Sequence, residues 1–81
     1  MTSKAAIGGW FDRGVTEGAT HLIVVCDTFD HSDYPVFVKA GEDAREIADE
    51  YSGKNMQRVM EVYNLSMDKA TQMEQSRAFN Y

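Results

Sequence analysis

The apolar positions of residues 3–18 recur at helical spacing and predict a first helix with one apolar face. That face is formed by Ile7, Trp10, Phe11, Gly14 and Val15. Thr2 or Ser3 can cap the start of this helix, because both side chains accept a hydrogen bond from the first turn.

Glycines interrupt and end this first segment. Gly8 and Gly9 each weaken a helix by about 1 kcal/mol relative to alanine, which suggests that another element packs closely against them. Gly18 suits the left-handed residue that ends a helix. These glycines follow no strand and do not have the spacing of a phosphate-binding loop.

A hairpin is predicted next. Residues 21–29 contain an unbroken apolar run at 22–26, which is typical of a strand covered on both faces. A short buried helix has the same kind of run, but the β-branched residues favour the strand. Residues 30–33 have turn composition, and residues 34–39 form a second strand. Pro35 cannot donate a ladder hydrogen bond, so we expect it at the strand start or on a sheet edge.

The clearest helical pattern follows, at residues 42–51, where Ala44, Ile47, Ala48 and Tyr51 form an apolar stripe. Acidic Glu42 and Asp43 lie at its start, where they favour the positive end of the helix dipole. Gly53 is expected to end this helix.

Residues 56–65 fit both helical spacing and strand alternation. The β-branched residues and the Gly53-Lys54-Asn55 break before them favour a third strand. Ser66 is then expected to cap a final helix with Asp68 in its first turn. We expect the inner side of that helix to be marked by Met67, Ala70 and either Met73 or Glu74.

Together these elements predict a single α+β domain over residues 1–81, with the order α-β-β-α-β-α. A small three-stranded, mainly antiparallel sheet is packed by helices. If the second and third strands are parallel, the apolar first strand fits between them and the strand order is 2-1-3.

Composition narrows the classes of partner. Eight basic and thirteen acidic residues give a net charge of −5, and the basic residues are scattered, so we expect no direct binding to nucleic acid. Cys26 is the one cysteine, which excludes an internal disulfide and fits a reducing compartment. No apolar run reaches the roughly 18 residues of a membrane span, and the N-terminus lacks a secretory pattern. A cytoplasmic protein without membrane association is expected.

Three blocks resemble small uncharacterised proteins encoded by bacteriophages and bacterial genomes. They are GWFDRG (9–14), EGATHLIVVCDTFDHSDYP (17–35) and GKNMQRVMEVYNL (53–65). The resemblance covers most of the chain and implies no assigned activity, so no residue role follows from it. It implies a context in which short accessory phage genes encode proteins that bind host machinery.

The predicted hairpin contains the residues best suited to metal binding or catalysis, which are Asp27, Asp30, His31 and Asp33. Carboxylate and imidazole ligands suit a divalent metal, but the spacing matches no defined metal loop. The same composition is typical of a turn whose Asp and Ser side chains bond their own backbone. A small-molecule or metal-binding protein, or a small enzyme, built on residues 27–34 is therefore one hypothesis.

Catalytic pairings are weaker candidates. Asp27 and Asp33 are a possible acid–base pair, and Cys26 is a possible nucleophile with His21 or His31 as its base. A cysteine inside the most apolar run of the chain is more typical of an inert core residue. Residues 42–50 carry five acidic side chains, which indicate either a solvated helix face or an acidic mimic of nucleic acid.

A methionine and aromatic cluster late in the chain suggests a partner-binding or dimer face. Its members are Met60, Met67, Met73, Phe79 and Tyr81. The leading hypothesis is a small non-enzymatic protein-binding module without a cofactor, which engages a host protein or a second copy of itself.

Overall fold

The computed structural model describes residues 3–53 and 56–81. In chain order the elements are α1 (Lys4–Thr16), β1 (Ala19–Asp27), β2 (Ser32–Lys39), α2 (Ala44–Tyr51), β3 (Gln57–Asn64) and α3 (Lys69–Glu74). Both β2 and β3 pair antiparallel with β1, in the order β2-β1-β3. The predicted α+β fold, its element order and the third strand are confirmed. Thr2, Lys54 and Asn55, which entered the predicted cap and turn, lie outside the described residues.

Strand β1 is buried on both faces of the sheet. Its residues Leu22, Ile23, Val24 and Val25 are each at most 1% exposed. Ile23 and Val25 belong to a core cluster with residues of α2, so we name that side the α2 face. Leu22 and Val24 belong to a second cluster with residues of α1 and α3 on the opposite side, the α1/α3 face. The continuous apolar run therefore reflects helices on both faces, as predicted.

Helix α1 is capped by Ser3, whose Oγ accepts a hydrogen bond from Ala6 N at 3.2 Å. The expected close packing is absent at Gly9, where an added Cβ would meet nothing within 4 Å. It occurs instead at Gly14, where a Cβ would lie 2.7 Å from Leu65 Cδ1 and 3.1 Å from the Phe37 ring. Because the side chain of Gly14 is only a hydrogen atom, α1 can approach the sheet closely at this position.

Helix α3 begins later than predicted. Asp68, rather than Ser66, is its N-cap, because the Asp68 Oδ2 accepts from Thr71 N at 2.9 Å. Ser66 instead donates from Oγ to Asn64 Oδ1 at 2.6 Å. The predicted inner side was wrong for Met67 and Ala70, while the Met73 alternative is confirmed, since Met73 packs against the α1/α3 core. Gln72 is fully buried and Met73 partly so, whereas Met67, Ala70 and Glu74 are exposed.

Buried Gln72 takes the place of a neighbouring strand at the outer edge of β3. Its Oε1 accepts from Asn64 N and its Nε2 donates to Asn64 O, both at 2.8 Å. Next to this amide the C-terminal segment pairs with Val62: Val62 N donates to Ala78 O at 2.8 Å, and Asn80 N donates to Val62 O at 2.9 Å. Side-chain and main-chain groups thus satisfy the backbone of β3 beyond its pairing with β1.

The outer edge of β2 lacks two free backbone donors for a different reason. Lys39 N donates to Glu42 Oε1 at 2.8 Å, so this N–H points away from β1. Backbone groups alternate along a strand, which places Pro35 on the same outer side, where it has no N–H to offer. The predicted edge position of Pro35 is confirmed. A missing donor and a side-chain cap both discourage strand addition.

Gly9→Ala should raise the free energy of unfolding by about 0.5–1 kcal/mol, because alanine removes the conformational entropy cost of an exposed helical glycine. Gly14→Ala gains the same helix propensity but overpacks Leu65 and Phe37, so we expect a net loss of about 1–2 kcal/mol. Urea unfolding of both variants measures the difference. Equal effects at the two sites would contradict the packing described for α1.

Gln72→Ala should lower the free energy of unfolding by about 2–4 kcal/mol, because it leaves the Asn64 N–H and C=O without their partner. Gln75→Ala is the matched control, since the exposed Gln75 side chain has one hydrogen bond within the described residues, accepted from Asn80 Nδ2 at 3.2 Å. We expect that control to change stability by less than about 1 kcal/mol. Chemical denaturation tests the pair, and similar losses for both variants would argue against the role given to Gln72.

Candidate functional site

A β-bulge sets the geometry of the α1/α3 face. Val24 of β1 faces Glu61 of β3, whereas Val25 faces Val59, so Met60 is an extra residue in the ladder. Val59 belongs to the core of the α2 face, while both Met60 and Glu61 border a groove on the α1/α3 face. A regular strand would direct these two side chains to opposite faces. The bulge brings them together.

The groove has a volume of about 400 Å³. It is lined by Lys4, Ile7, Val24, Asp33, Met60, Glu61, Ser76 and Arg77, contributed by α1, all three strands and the C-terminal segment. Its lining combines three apolar side chains with two carboxylates and two cations. Concave surfaces that are mainly apolar and carry a few polar groups are typical of binding sites.

Glu61 is the anchor of the polar side of this groove, and it is only 9% exposed. Its Oε2 accepts from Tyr63 Oη at 2.8 Å and from Ala78 N at 3.2 Å. Lys4 Nζ lies 3.6 Å from the same oxygen and donates to Gln75 O at 3.3 Å. These contacts compensate the buried carboxylate and tie α1, β3 and the C-terminal segment together.

The pKa of Tyr63 is raised well above its usual value. Burial is the main cause, and the hydrogen bond to the Glu61 carboxylate raises it further. Tyr63 also meets Phe11 edge to face, with ring centroids 6.4 Å apart. The phenol therefore stays protonated and holds Glu61 at a fixed position.

The hairpin candidates are separated by the structure. Asp27 Oδ1 accepts from Phe29 N at 2.9 Å, and Asp30 Oδ1 accepts from Ser32 N at 3.0 Å. The hydrogen bonds from Ser32 also lower the pKa of Asp30. The segment is therefore a turn whose Asp side chains accept hydrogen bonds from the backbone, which is one of the two interpretations of its composition. Asp33 lies instead in the groove with Glu61.

His31 is exposed in the hairpin turn, with a φ of 60°. Across residues 3–53 and 56–81, no group of three or more His, Cys, Asp or Glu side chains is placed to hold a metal ion. The four hairpin residues are thus divided between a turn and a groove.

Cys26 and His21 do not meet. They lie five positions apart on β1, roughly 16 Å along the strand, and alternation directs them to opposite faces. The Cys26 pKa is raised by burial and then by the neighbouring Asp33, which disfavours the thiolate. His21 Nδ1 lies 2.9 Å from Thr20 Oγ1, and His21 Nε2 is buried without a hydrogen-bond partner in the described part of the chain. Asp27 and Asp33 also alternate to opposite faces.

Part of the acidic segment 42–50 serves local structure. Glu42 accepts from Lys39 N at 2.8 Å, and Asp43 is the N-cap of α2, accepting from Arg45 N at 2.9 Å. Glu46, Asp49 and Glu50 are exposed, as expected for the polar side of an amphipathic helix.

The late methionine and aromatic residues do not form one surface. Met60 borders the groove, and Met73 packs into the core of the α1/α3 face. Met67 and Phe79 are 47% exposed and Tyr81 is 38% exposed. Because Ala78 is buried in the α1/α3 core, alternation directs Phe79 and Tyr81 towards the α2 side. There the Arg45 guanidinium lies 4.3 Å from the Tyr81 ring centroid.

Sequence patterns did not indicate Lys4, Glu61 or Arg77 as site residues. The one available signal was a glutamate within an otherwise apolar strand segment, VMEVY at residues 59–63. A buried carboxylate needs compensating groups, and these come from distant parts of the chain. The bulge that places Met60 and Glu61 on the same face cannot be recognised from the pattern of residues.

Comparison of the chain with protein-family models, curated proteins and solved structures finds no match. No helix among the described residues is long and apolar enough to cross a bilayer. The fold and the site together define an α+β domain with a groove on its α1/α3 face.

The stability of the protein should fall more steeply above about pH 10 than that of Tyr63→Phe. The folded state keeps Tyr63 protonated while the unfolded chain releases this proton near pH 10, so raising the pH favours unfolding. The added slope approaches about 1.4 kcal/mol per pH unit. Urea unfolding between about pH 8 and pH 11 measures it. Parallel slopes for the two proteins would contradict the account of Tyr63.

Proposed function

We propose that this chain is a small non-enzymatic binding module, and that the groove on its α1/α3 face is where it contacts a protein partner. The observation that carries the proposal is the preformed arrangement around Glu61. Its carboxylate is held by Tyr63 at 2.8 Å and Ala78 at 3.2 Å beside the apolar Met60. Preorganised polar groups next to apolar surface favour specific binding, because little ordering is needed on contact.

Binding through side chains is favoured over strand addition. The amide of Gln72 bonds the outer edge of β3, and Pro35 removes a donor from the outer edge of β2. A partner strand would find few free backbone groups in these places. The groove offers a partner side chain both an apolar surface and charged groups.

Arg77 also supports a partner contact at the groove. Arg77 borders the groove, and its guanidinium lies 5.7 Å from the ring centroid of Phe79. Phe79 is 47% exposed although it is a large apolar residue. Arginine and aromatic side chains commonly dominate the energy of protein interfaces. Met60 is the member of the predicted partner-binding set that borders the groove, whereas Phe79 is directed towards the α2 side.

The resemblance to small phage and bacterial proteins suggests the biological context in which the protein acts. We propose a phage-encoded accessory protein that acts on host machinery in the cytoplasm, with a second copy of the chain as the competing partner. The separation of Cys26 from His21 along β1 supports binding rather than nucleophilic catalysis.

A small-molecule-binding protein is the second candidate. The groove volume of about 400 Å³ falls within the range of ligand pockets. Asp33 is the hairpin residue that contributes to it. This alternative thus places the ligand in the groove instead of the 27–34 turn.

Site-specific photo-crosslinking distinguishes these functions. A photoreactive amino acid replaces Ser76, which is exposed and borders the groove, and in the control it replaces Glu50, which is exposed on α2. We expect a discrete protein adduct in host cells from position 76 and none from position 50. Light scattering on the purified protein reports whether the adduct is a second copy.

Two results would count against the protein-binding proposal. One is a monomer that forms no adduct from position 76, which would favour the small-molecule alternative. The other is the same set of adducts from both positions, which would indicate non-specific proximity.

A further inference from the structure

We propose that the groove recognises a basic side chain, lysine or arginine, carried by the partner. This inference rests on the proposed function and names the chemistry of the contact. It is carried by the second oxygen of Glu61, by the neighbouring Asp33 carboxylate and by the apolar surface between them.

The two oxygens of Glu61 have different surroundings. Oε2 receives the contacts from Tyr63, Ala78 and Lys4. Among the described residues no donor is bonded to Oε1, although the side chain is 12% exposed and borders the groove. A carboxylate oxygen left in a largely desolvated site favours a cationic hydrogen-bond donor.

Asp33 adds a second negative charge on the other side of β1. Glu61 is opposite Val24 on β3, and Asp33 is opposite Cys26 on β2. With strands about 4.8 Å apart and a rise of about 3.3 Å per residue, the two backbone positions are about 10 Å apart across the sheet and about 7 Å apart along it, a separation of roughly 12 Å. A cation at Glu61 is therefore attracted by both carboxylates.

The positive residues of the groove are already engaged within the protein. Lys4 Nζ lies 3.6 Å from Glu61 Oε2 and donates to Gln75 O at 3.3 Å. The Arg77 guanidinium lies 5.7 Å from the Phe79 ring centroid. These contacts keep both charges on the rim and leave the apolar part of the groove to a ligand.

The apolar lining suits the stem of a basic side chain. Ile7, Val24 and Met60 border the groove beside Glu61. The methylene groups of lysine and arginine pack on apolar surface while the charged head remains paired. The net charge of −5 adds a long-range attraction for a basic partner, and this attraction weakens with salt.

Short acetylated and amidated peptides that differ at one central residue test the proposal. The residue is lysine, arginine, norleucine or glutamate, and binding is followed through the backbone amide signals of the labelled protein by NMR at low salt. Lysine and arginine peptides should shift the amides of Val24, Asp33 and Glu61. The norleucine peptide should bind about tenfold more weakly, because it fills the groove without a charge–charge contact.

Glu61→Gln is the matching protein variant, because glutamine still accepts from Tyr63 and Ala78 while the charge is lost. It should weaken binding of the lysine peptide about tenfold and leave the norleucine peptide unchanged. Glu74→Gln removes the same charge from an exposed position outside the groove and should leave both affinities within about twofold. The amide spectra of both variants report whether the fold is kept.

The outcomes separate this inference from the proposed function. Equal binding of lysine and norleucine peptides, or an unchanged affinity in Glu61→Gln, overturns recognition of a basic side chain. Shifts confined to the acidic side of α2 also overturn it, since they indicate diffuse charge attraction. In each case protein adducts from position 76 would still support the binding module. Absence of those adducts, with lysine peptides bound in the groove, would overturn the protein-partner proposal instead.

Discussion

Strand β1 has no side that faces water, and the positions of the other elements depend on covering both of its faces. Leu22, Ile23 and Val25 are all fully buried. A strand of this kind requires a neighbouring strand on each edge and a helix layer above and below. In a chain of 81 residues few helices are available: of those in the described residues, α2 packs on one face, while α1 and α3 share the other. The groove lies between the start of α1 and the C-terminal segment, at a part of the sheet that the helices do not cover.

Polar side chains in this protein substitute for main-chain structure at the edge of the sheet. Gln72 provides a donor and an acceptor to Asn64 in the way a strand residue would. The Glu61 carboxylate accepts the main-chain N–H of Ala78 at 3.2 Å. Buried polar groups that are hydrogen-bonded in one arrangement fix that arrangement, because a shift breaks those bonds. The same contacts that close the sheet therefore also hold the wall of the groove.

Local patterns were sufficient to predict most of the fold. The apolar run in β1, the stripe along α2 and the edge position of Pro35 each follow from the chemistry of single segments. Errors appeared at α3, where Ser66 and Asp68 are both acceptable caps and the choice depends on Gln72 reaching β3. Propensity cannot rank two competent caps when a tertiary contact decides between them.

The site was less predictable than the fold, since its residues are distant in the chain. Asp33 was among the predicted candidates, but for a turn rather than for a groove shared with Glu61. Lys4 and Glu61 meet at 3.6 Å across 57 positions of sequence. This proximity results from the topology of the fold and from the bulge, and neither can be predicted from a local sequence pattern.

The extra residue Met60 also bears on how such a groove could arise. If position 60 were removed, Val59 and Glu61 would become consecutive, and their present faces already alternate as a regular strand requires. The pairing of every other residue in β3 would be kept, while one wall of the groove would disappear. Loss or gain of a single codon therefore changes the lining of the groove without changing the pairing of the three-stranded sheet. The side chains that line the groove can thus vary in number while the core of the fold is kept.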